Sequence, residues 1–287
     1  MAHANPATFG RLVGALDHPD VSVFVHLDQR AELAPFAALA TPRVTFLEAR
    51  IANYWGAWTQ VEATLRLLRA ARAAGPFTSY AVVSGDSLPL LPPAALLAEL
   101  HAAPTRLSFR RVRPGSTPHR RVTGIYLPHV GWGRIRERVD WMERGLDPAD
   151  FDDLRAAMAT AEAKANIDFP VFKSSQWMAL SDAAAEALLD LVESDRPFVD
   201  IFRFSLIPDE SFIVTALHRL DRSLRSTDDF MGFDWPKGPS PRVILGPEHL
   251  PLVEASPGLF FRKFSDDGGA AADAWLARLP GRRAEAA

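Results

Sequence analysis

Three short apolar runs, separated by segments of helical period, constrain this chain most. Val21–Leu27, Arg43–Leu47 and Tyr80–Val83 read as buried strands. Between the second and third, Val61, Leu65, Leu68 and Ala71 repeat at helical spacing over Thr59–Ala74, and Gly75-Pro76 stops that pattern. Upstream, Phe9, Leu12, Val13 and Leu16 mark a helix over Thr8–Leu16. Strands alternating with helices predict an α/β fold with a mostly parallel central sheet flanked by helices. The unbroken apolar character of Tyr80–Val83 suits a central parallel strand. With no repeat and no linker in the sequence, one domain over residues 1–287 is expected.

The later elements are expected as follows. Pro93–His101 is a helix, Arg106–Val112 a strand and Asp147–Ala165 an amphipathic helix with a wet charged face. Phe172–Leu180 is a strand, and Ser181 caps a helix over Ala183–Val192. Asp200–Leu206 reads as a short apolar strand that hands over to a helix begun by Pro208. Asp229–Pro241 is a loop, and Ala270–Leu279 is a last short helix.

Composition removes several functions. There is no cysteine, so disulfides, thiolate zinc sites and a cysteine nucleophile are excluded. A net charge of −3 gives no bulk attraction to nucleic acid. No apolar run approaches the roughly 18 residues a spanning helix needs, and no signal peptide is visible, so a cytoplasmic location is expected. Also missing are a Gly-x-Gly-x-x-Gly fingerprint, a phosphate loop ending in Gly-Lys-Ser/Thr, a His-x-x-x-His helix and a Gly-x-Ser-x-Gly elbow. The single Asp-x-Asp, Asp150-Phe-Asp152, falls in a predicted helix rather than at a strand end.

What remains are isolated polar residues where strands end. Asp28-Gln-Arg30 follows the first strand, and Ser84-Gly-Asp86 follows the third, where a glycine lets backbone come close to a ligand. A solvated turn fits Asp28 equally well. Asp209 and Glu210 sit in the first turn of the Pro208 helix, where the helix dipole favours an ionised carboxylate that can serve as a base. Arg110, Arg111, Arg113, His119, Arg120 and Arg121 cluster around Pro114-Gly-Ser, which suits either an anionic ligand or a wet loop. Arg242 and Lys263 are late cations able to neutralise a diphosphate leaving group.

The order of motifs resembles the core-2/I-branching β-1,6-N-acetylglucosaminyltransferase family, which also holds peptide O-xylosyltransferases. The resemblance is carried by Ala2-His-Ala-Asn-Pro6, Val25-His-Leu-Asp28, Trp55-Gly-Ala-Trp-Thr59, Ser84-Gly-Asp-Ser-Leu-Pro-Leu90, Ser174-Ser-Gln-Trp-Met-Ala-Leu180, Pro208-Asp-Glu-Ser-Phe212 and Arg262-Lys-Phe264. It runs from about residue 1 to 264, leaving 265–287 as a C-terminal helix and tail. It implies a GT-A-like fold and an inverting transfer from a UDP-sugar (GlcNAc or xylose) to an acceptor hydroxyl, with no metal or other cofactor. It maps the catalytic base onto Glu210, the uridine-binding acid onto Asp28, and the diphosphate cations onto Arg242 and Lys263. Arg30, Ser84, Gly85 and Asp86 join the donor site in this reading, with Trp177 and Asp209 toward the acceptor. The chain departs from the family in placing an acid at Asp86 with Ser87 in the usual acidic slot, and residues 112–168 match poorly. Strand alternation allows only one of Arg262 and Lys263 to reach the pocket, and the resemblance selects Lys263.

Two other functions compete. One is a silent nucleotide-sugar-binding or lectin-like module. The other is a hydrolase with Asp209 and Glu210 as its pair, which is disfavoured because neighbouring helical residues point about 100° apart. Only Met1 precedes the first motif, so the strand expected there is reduced to almost nothing, or begins upstream.

Overall fold

The computed structural model describes residues 1–126, 148–227, 230–236 and 240–281. The chain opens with α1 (Pro6–Ala15), β1 (Val23–Val25), α2 (Ala34–Ala37), β2 (Val44–Phe46) and α3 (Trp58–Ala73). It continues through β3 (Ser79–Val82), β4 (Ser87–Pro89), α4 (Pro93–Ala102), β5 (Phe109–Arg111) and α5 (Thr117–Thr123). Next come α6 (Pro148–Ala159), α7 (Ala161–Ala165), β6 (Phe172–Ser174), β7 (Met178–Ser181), α8 (Asp182–Ser194) and α9 (Arg196–Arg203). A 3-10 turn, Pro208–Glu210, leads into α10 (Phe212–Leu220), followed by β8 (Met231–Gly232), α11 (Leu250–Glu254), β9 (Phe260–Arg262) and α12 (Gly269–Leu276).

The fold is mixed α/β, and among the described residues the strand pairs are of both senses rather than mostly parallel. β1–β2 and β8–β9 are parallel, whereas β3–β7, β4–β9 and β5–β6 are antiparallel. One departure lies in the stretch expected as one strand over Phe172–Leu180. It breaks at Ser175–Trp177, where the Ser175 hydroxyl accepts the Trp177 N–H at 3.2 Å. Its two halves then run back along different partners, β6 along β5 and β7 along β3.

The segment Asp200–Leu206 is also not a strand. Phe198, Val199, Ile201 and Phe202 are buried at helical spacing, and the Asp195 carboxylate accepts the Phe198 N–H at 3.2 Å as an N-cap. A window that starts at Asp200 hides that period. This face stacks on the next helix: Phe202 and Phe198 lie 5.5 and 5.9 Å from Phe212, and Trp58 of α3 meets Phe212 at 4.9 Å. Such aromatic pairs add about 0.5–1.5 kcal/mol each beyond the area they bury. The expected wet face of residues 147–165 has an exception too. Lys164 is fully buried and donates to the Val122 carbonyl, the Ile201 carbonyl and the Ser205 hydroxyl.

The two ends of the chain meet. Asp266 accepts from the N–H groups of Ala7 and Thr8 and from the Thr8 hydroxyl, capping α1 from 258 residues away. Ala2 forms a single parallel bridge to Leu27. The Ala2 N–H donates to the His26 carbonyl, the Asp28 N–H to the Ala2 carbonyl, and the Gly85 N–H to the Met1 carbonyl. Residues 1–2 therefore lie between the ends of β1 and β3 and place Asp28 and Asp86 on either side of them. Gly85 is small for this reason. A Cβ on it would stand 2.8 Å from the Ala2 Cβ. The close approach that the sequence reserved for a ligand is taken by the chain itself. Gly85→Ala is expected to destabilise the protein by about 1–3 kcal/mol. Urea denaturation checks this, and an unchanged midpoint would contradict it.

Candidate functional site

Asp28 is buried at the end of β1. Its Oδ1 accepts from the Arg30 backbone N–H and Nε, at 2.8 and 3.0 Å, and its Oδ2 from Arg30 Nη2 and the Asn53 N–H, at 2.8 and 3.0 Å. Burial alone would raise its pKa, but the Arg30 and Asn53 hydrogen bonds prevail and hold it at about 2. Arg30 also donates to the Asn53 carbonyl, and its guanidinium lies 4.7 Å over the Tyr54 ring. His26 adds a further tie, its Nε2 accepting the Ile51 N–H at 3.1 Å. Asp28 thus has its acceptor sites filled by the chain, and what faces solvent is Arg30 stacked on Tyr54.

The loop held by Asp28 reaches Glu210. The Ile207 N–H donates to the Gly56 carbonyl at 2.9 Å. Gly56 and Ile207 both have positive φ, 74° and 55°. For a β-branched residue this is a strained conformation of order 1–3 kcal/mol, and it turns the chain sharply into Pro208-Asp209-Glu210. These acids therefore leave a helix and a left-handed residue, not a strand as the sequence implied. Glu210 is about one-third exposed, with Oε2 at 2.9 Å from Lys173 Nζ and 3.7 Å from Arg121 Nη1. Oε1 has no hydrogen-bond partner among the described residues.

Asp209 differs from its neighbour. It is 6% exposed, and its Oδ1 is buried with no partner among the described residues. Burial, and then the charge of Glu210, push its carboxyl up to about 7. Trp177 is likewise 9% exposed, beneath the Arg262 guanidinium at 5.0 Å. Trp177 and Asp209, expected toward the acceptor, are both covered by the chain itself.

The second strand end is built around Asp86, which is 4% exposed. Arg262 grips it with two hydrogen bonds of 3.0 Å, and Lys263 Nζ stands 3.8 Å from Oδ2. Burial pushes this carboxyl up, yet the charge and hydrogen bonds of Arg262, with one from Ser84, outweigh it and keep the pKa below the usual range. Both cations reach the acid, contrary to the alternation argument, because β9 ends at Arg262 and Lys263 lies beyond it. Lys263 remains one-third exposed while Arg262 is covered. The Ile244–Phe264 bridge brings Arg242 alongside: the Lys263 N–H donates to the Arg242 carbonyl at 3.4 Å. Arg242 is also ion-paired to Asp234 at 2.5 Å.

One continuous set of contacts therefore runs from Glu210 through Gly56, Asn53, Asp28 and Ala2 to Asp86, Lys263 and Arg242. Nothing in the sequence marked Lys173, Asn53, Tyr54 or Asp234 as site residues, and the resemblance set Arg262 aside in favour of Lys263. Arg121 stood in the noted basic cluster, and Lys173 in a segment taken as plain strand. The family model described as Core-2/I-Branching enzyme matches residues 3–250. The chain belongs to that family and is a glycosyltransferase. No curated protein matches it. Among the described residues, no helix is long and apolar enough to cross a membrane.

The raised pKa of Asp209 sets a pH dependence. Its folded value of about 7 exceeds the usual 3.8, so protonated Asp209 favours folding below about pH 4, and that contribution is lost as pH rises through 7. Asp209→Asn is expected to gain in Tm relative to wild type between pH 5 and about pH 8. Melting curves across that range test it. A difference that stays constant with pH would contradict it.

Proposed function

We propose that this glycosyltransferase moves GlcNAc or xylose from a UDP-sugar to an acceptor hydroxyl, with inversion and without a metal, within a single catalytic domain. The observation that carries the reading is the state of Glu210: Oε2 fixed by Lys173 and Arg121, Oε1 open, on the frame that also holds Arg242 and Lys263. The acceptor hydroxyl donates its proton to Oε1 as its oxygen attacks the anomeric carbon. The bond from that carbon to the β-phosphate oxygen breaks, and its electron pair leaves with UDP. A single displacement from the face opposite UDP inverts the configuration.

Negative charge grows on the β-phosphate in this step, and fixed cations beside it lower the barrier. Lys263 and Arg242 fill that role. Arg242 must share or release Asp234 as the diphosphate arrives, and the pair is partly open to solvent, which keeps the exchange inexpensive. Asp28 serves the uridine indirectly, by fixing Arg30 over Tyr54 as a flat cationic surface. Ser84, Gly85 and Asp86 shape the diphosphate end by positioning Arg262 and Lys263.

UDP, UDP-GlcNAc and UDP-xylose are each expected to raise the Tm, with or without EDTA. Arg242→Ala and Lys263→Ala are each expected to weaken UDP binding by about tenfold or more, since hydrogen bonds to a charged group contribute about 1.5–3 kcal/mol. Wild-type UDP affinity in both variants would remove these residues from the diphosphate site. Activity lost on chelation and restored by Mn²⁺ would overturn the metal-free mechanism. UDP binding with no transfer to any acceptor would favour a silent binding module.

A further inference from the structure

The basic cluster of residues 110–121 is joined to Glu210. In the β5–β6 ladder, Arg110 lies directly opposite Lys173. Opposed residues of an antiparallel pair project from the same face. Lys173 is the residue that holds Glu210, so Arg110 stands on the Glu210 side. The chain then passes the buried Val112 to Arg113, turns through Pro114-Gly115-Ser116, and enters α5, whose Arg121 returns to Glu210.

A cleft of about 540 Å³ opens along this segment, lined by Arg110, Arg111, Arg113, Ser116, Thr117 and Pro118. Pro118 also lines the groove that contains Glu210, Lys173 and Arg121, so the cleft and the groove share a wall. The arginines of the segment divide into two sets. Arg120 donates to the Gly115 carbonyl and the Thr117 hydroxyl, and Arg121 faces Glu210. Arg110, Arg111 and Arg113 are exposed, and among the described residues no carboxylate pairs with any of them. Around this cleft, Arg110 on the Glu210 side and Arg113, which no carboxylate among the described residues neutralises, repel one another, and a bound anion relieves that repulsion. The donor's diphosphate is not that anion, because Arg242 and Lys263 meet it beyond the other strand end.

We propose that the acceptor is an acidic saccharide, carrying carboxylate or phosphate groups, and that Arg110 and Arg113 bind its charge while Glu210 activates its hydroxyl. This rests on the transferase reading of Glu210. Guanidinium forks match carboxylate and phosphate in two-point contacts, which fixes the orientation of the saccharide as well as its charge. Any carboxylate- or phosphate-bearing sugar presents the same chemistry, so the probes must separate the two.

The test measures binding of oligogalacturonate, a phosphorylated oligomannoside and neutral maltohexaose to the UDP-loaded protein, at low and high salt. At least one acidic probe is expected to bind about tenfold or more tighter than maltohexaose, with the advantage shrinking as salt rises. The double variant Arg110→Ala/Arg113→Ala is expected to lose that advantage while its UDP-induced Tm shift is retained. With an acceptor that supports turnover, KM should rise while kcat stays near wild type. Equal binding of acidic and neutral probes overturns the proposal, as does acidic-probe affinity untouched by the double variant. Preference for a sugar-free acidic peptide over both acidic saccharides also overturns it. A wild-type protein that UDP fails to stabilise would instead overturn the transferase reading, and that outcome is separate from these.

Discussion

The buried Asp28 carboxylate is the contact on which the site depends. A charge that deep is tolerated only when its hydrogen-bonding capacity is filled. Arg30 and Asn53 fill it, and in doing so they draw residues 51–57 onto the end of β1. Gly56 in that loop then receives the Ile207 N–H, which fixes the strained turn that presents Glu210. Asp28 and Glu210, far apart in sequence, are thus held by one short relay of backbone and side-chain bonds.

Asp86 repeats the device on the neighbouring strand end. Its ion pair with Arg262 is largely dry, and the guanidinium is sandwiched between the carboxylate and the Trp177 ring. With Arg262 committed, Lys263 is left with partial exposure and a weaker hold on the same acid. One cation is bound up in the fold, and its neighbour keeps an open face. The two acids of the Pro208 turn divide similarly: Asp209 is buried and driven toward its neutral form, and Glu210 stays accessible and ion-paired.

Much of this was legible in the sequence where the determinants are local. The amphipathic period of α3, the Ser181 cap and the acids at strand ends follow from neighbours a few residues apart. The resemblance named Arg242 and Lys263 together, and the Ile244–Phe264 bridge brings their backbones side by side. The rest depends on distant partners. Nothing near Gly85 announces that Ala2 will press against it. Nothing near α1 announces that Asp266 will cap it. The split of Phe172–Leu180 at Ser175 into β6 and β7, paired with different strands, is hidden by apolar content alone. The segment at Asp200 is apolar enough for either period, and the packing of Phe198 and Phe202 on Phe212 decides it. Arg30, expected as a ligand contact, proved to be the clamp on Asp28 as well.

The central claim is that Glu210 takes the acceptor's proton. The direct measurement is the transfer rate of Glu210→Gln, with UDP affinity determined in parallel. The glutamine keeps the shape of the side chain and removes the charge that accepts a proton. The rate is predicted to fall by about 10²- to 10⁴-fold with UDP affinity unchanged. A variant that retains most of its transfer rate, while Asp209→Asn loses it, would contradict the account and move the base to the buried acid.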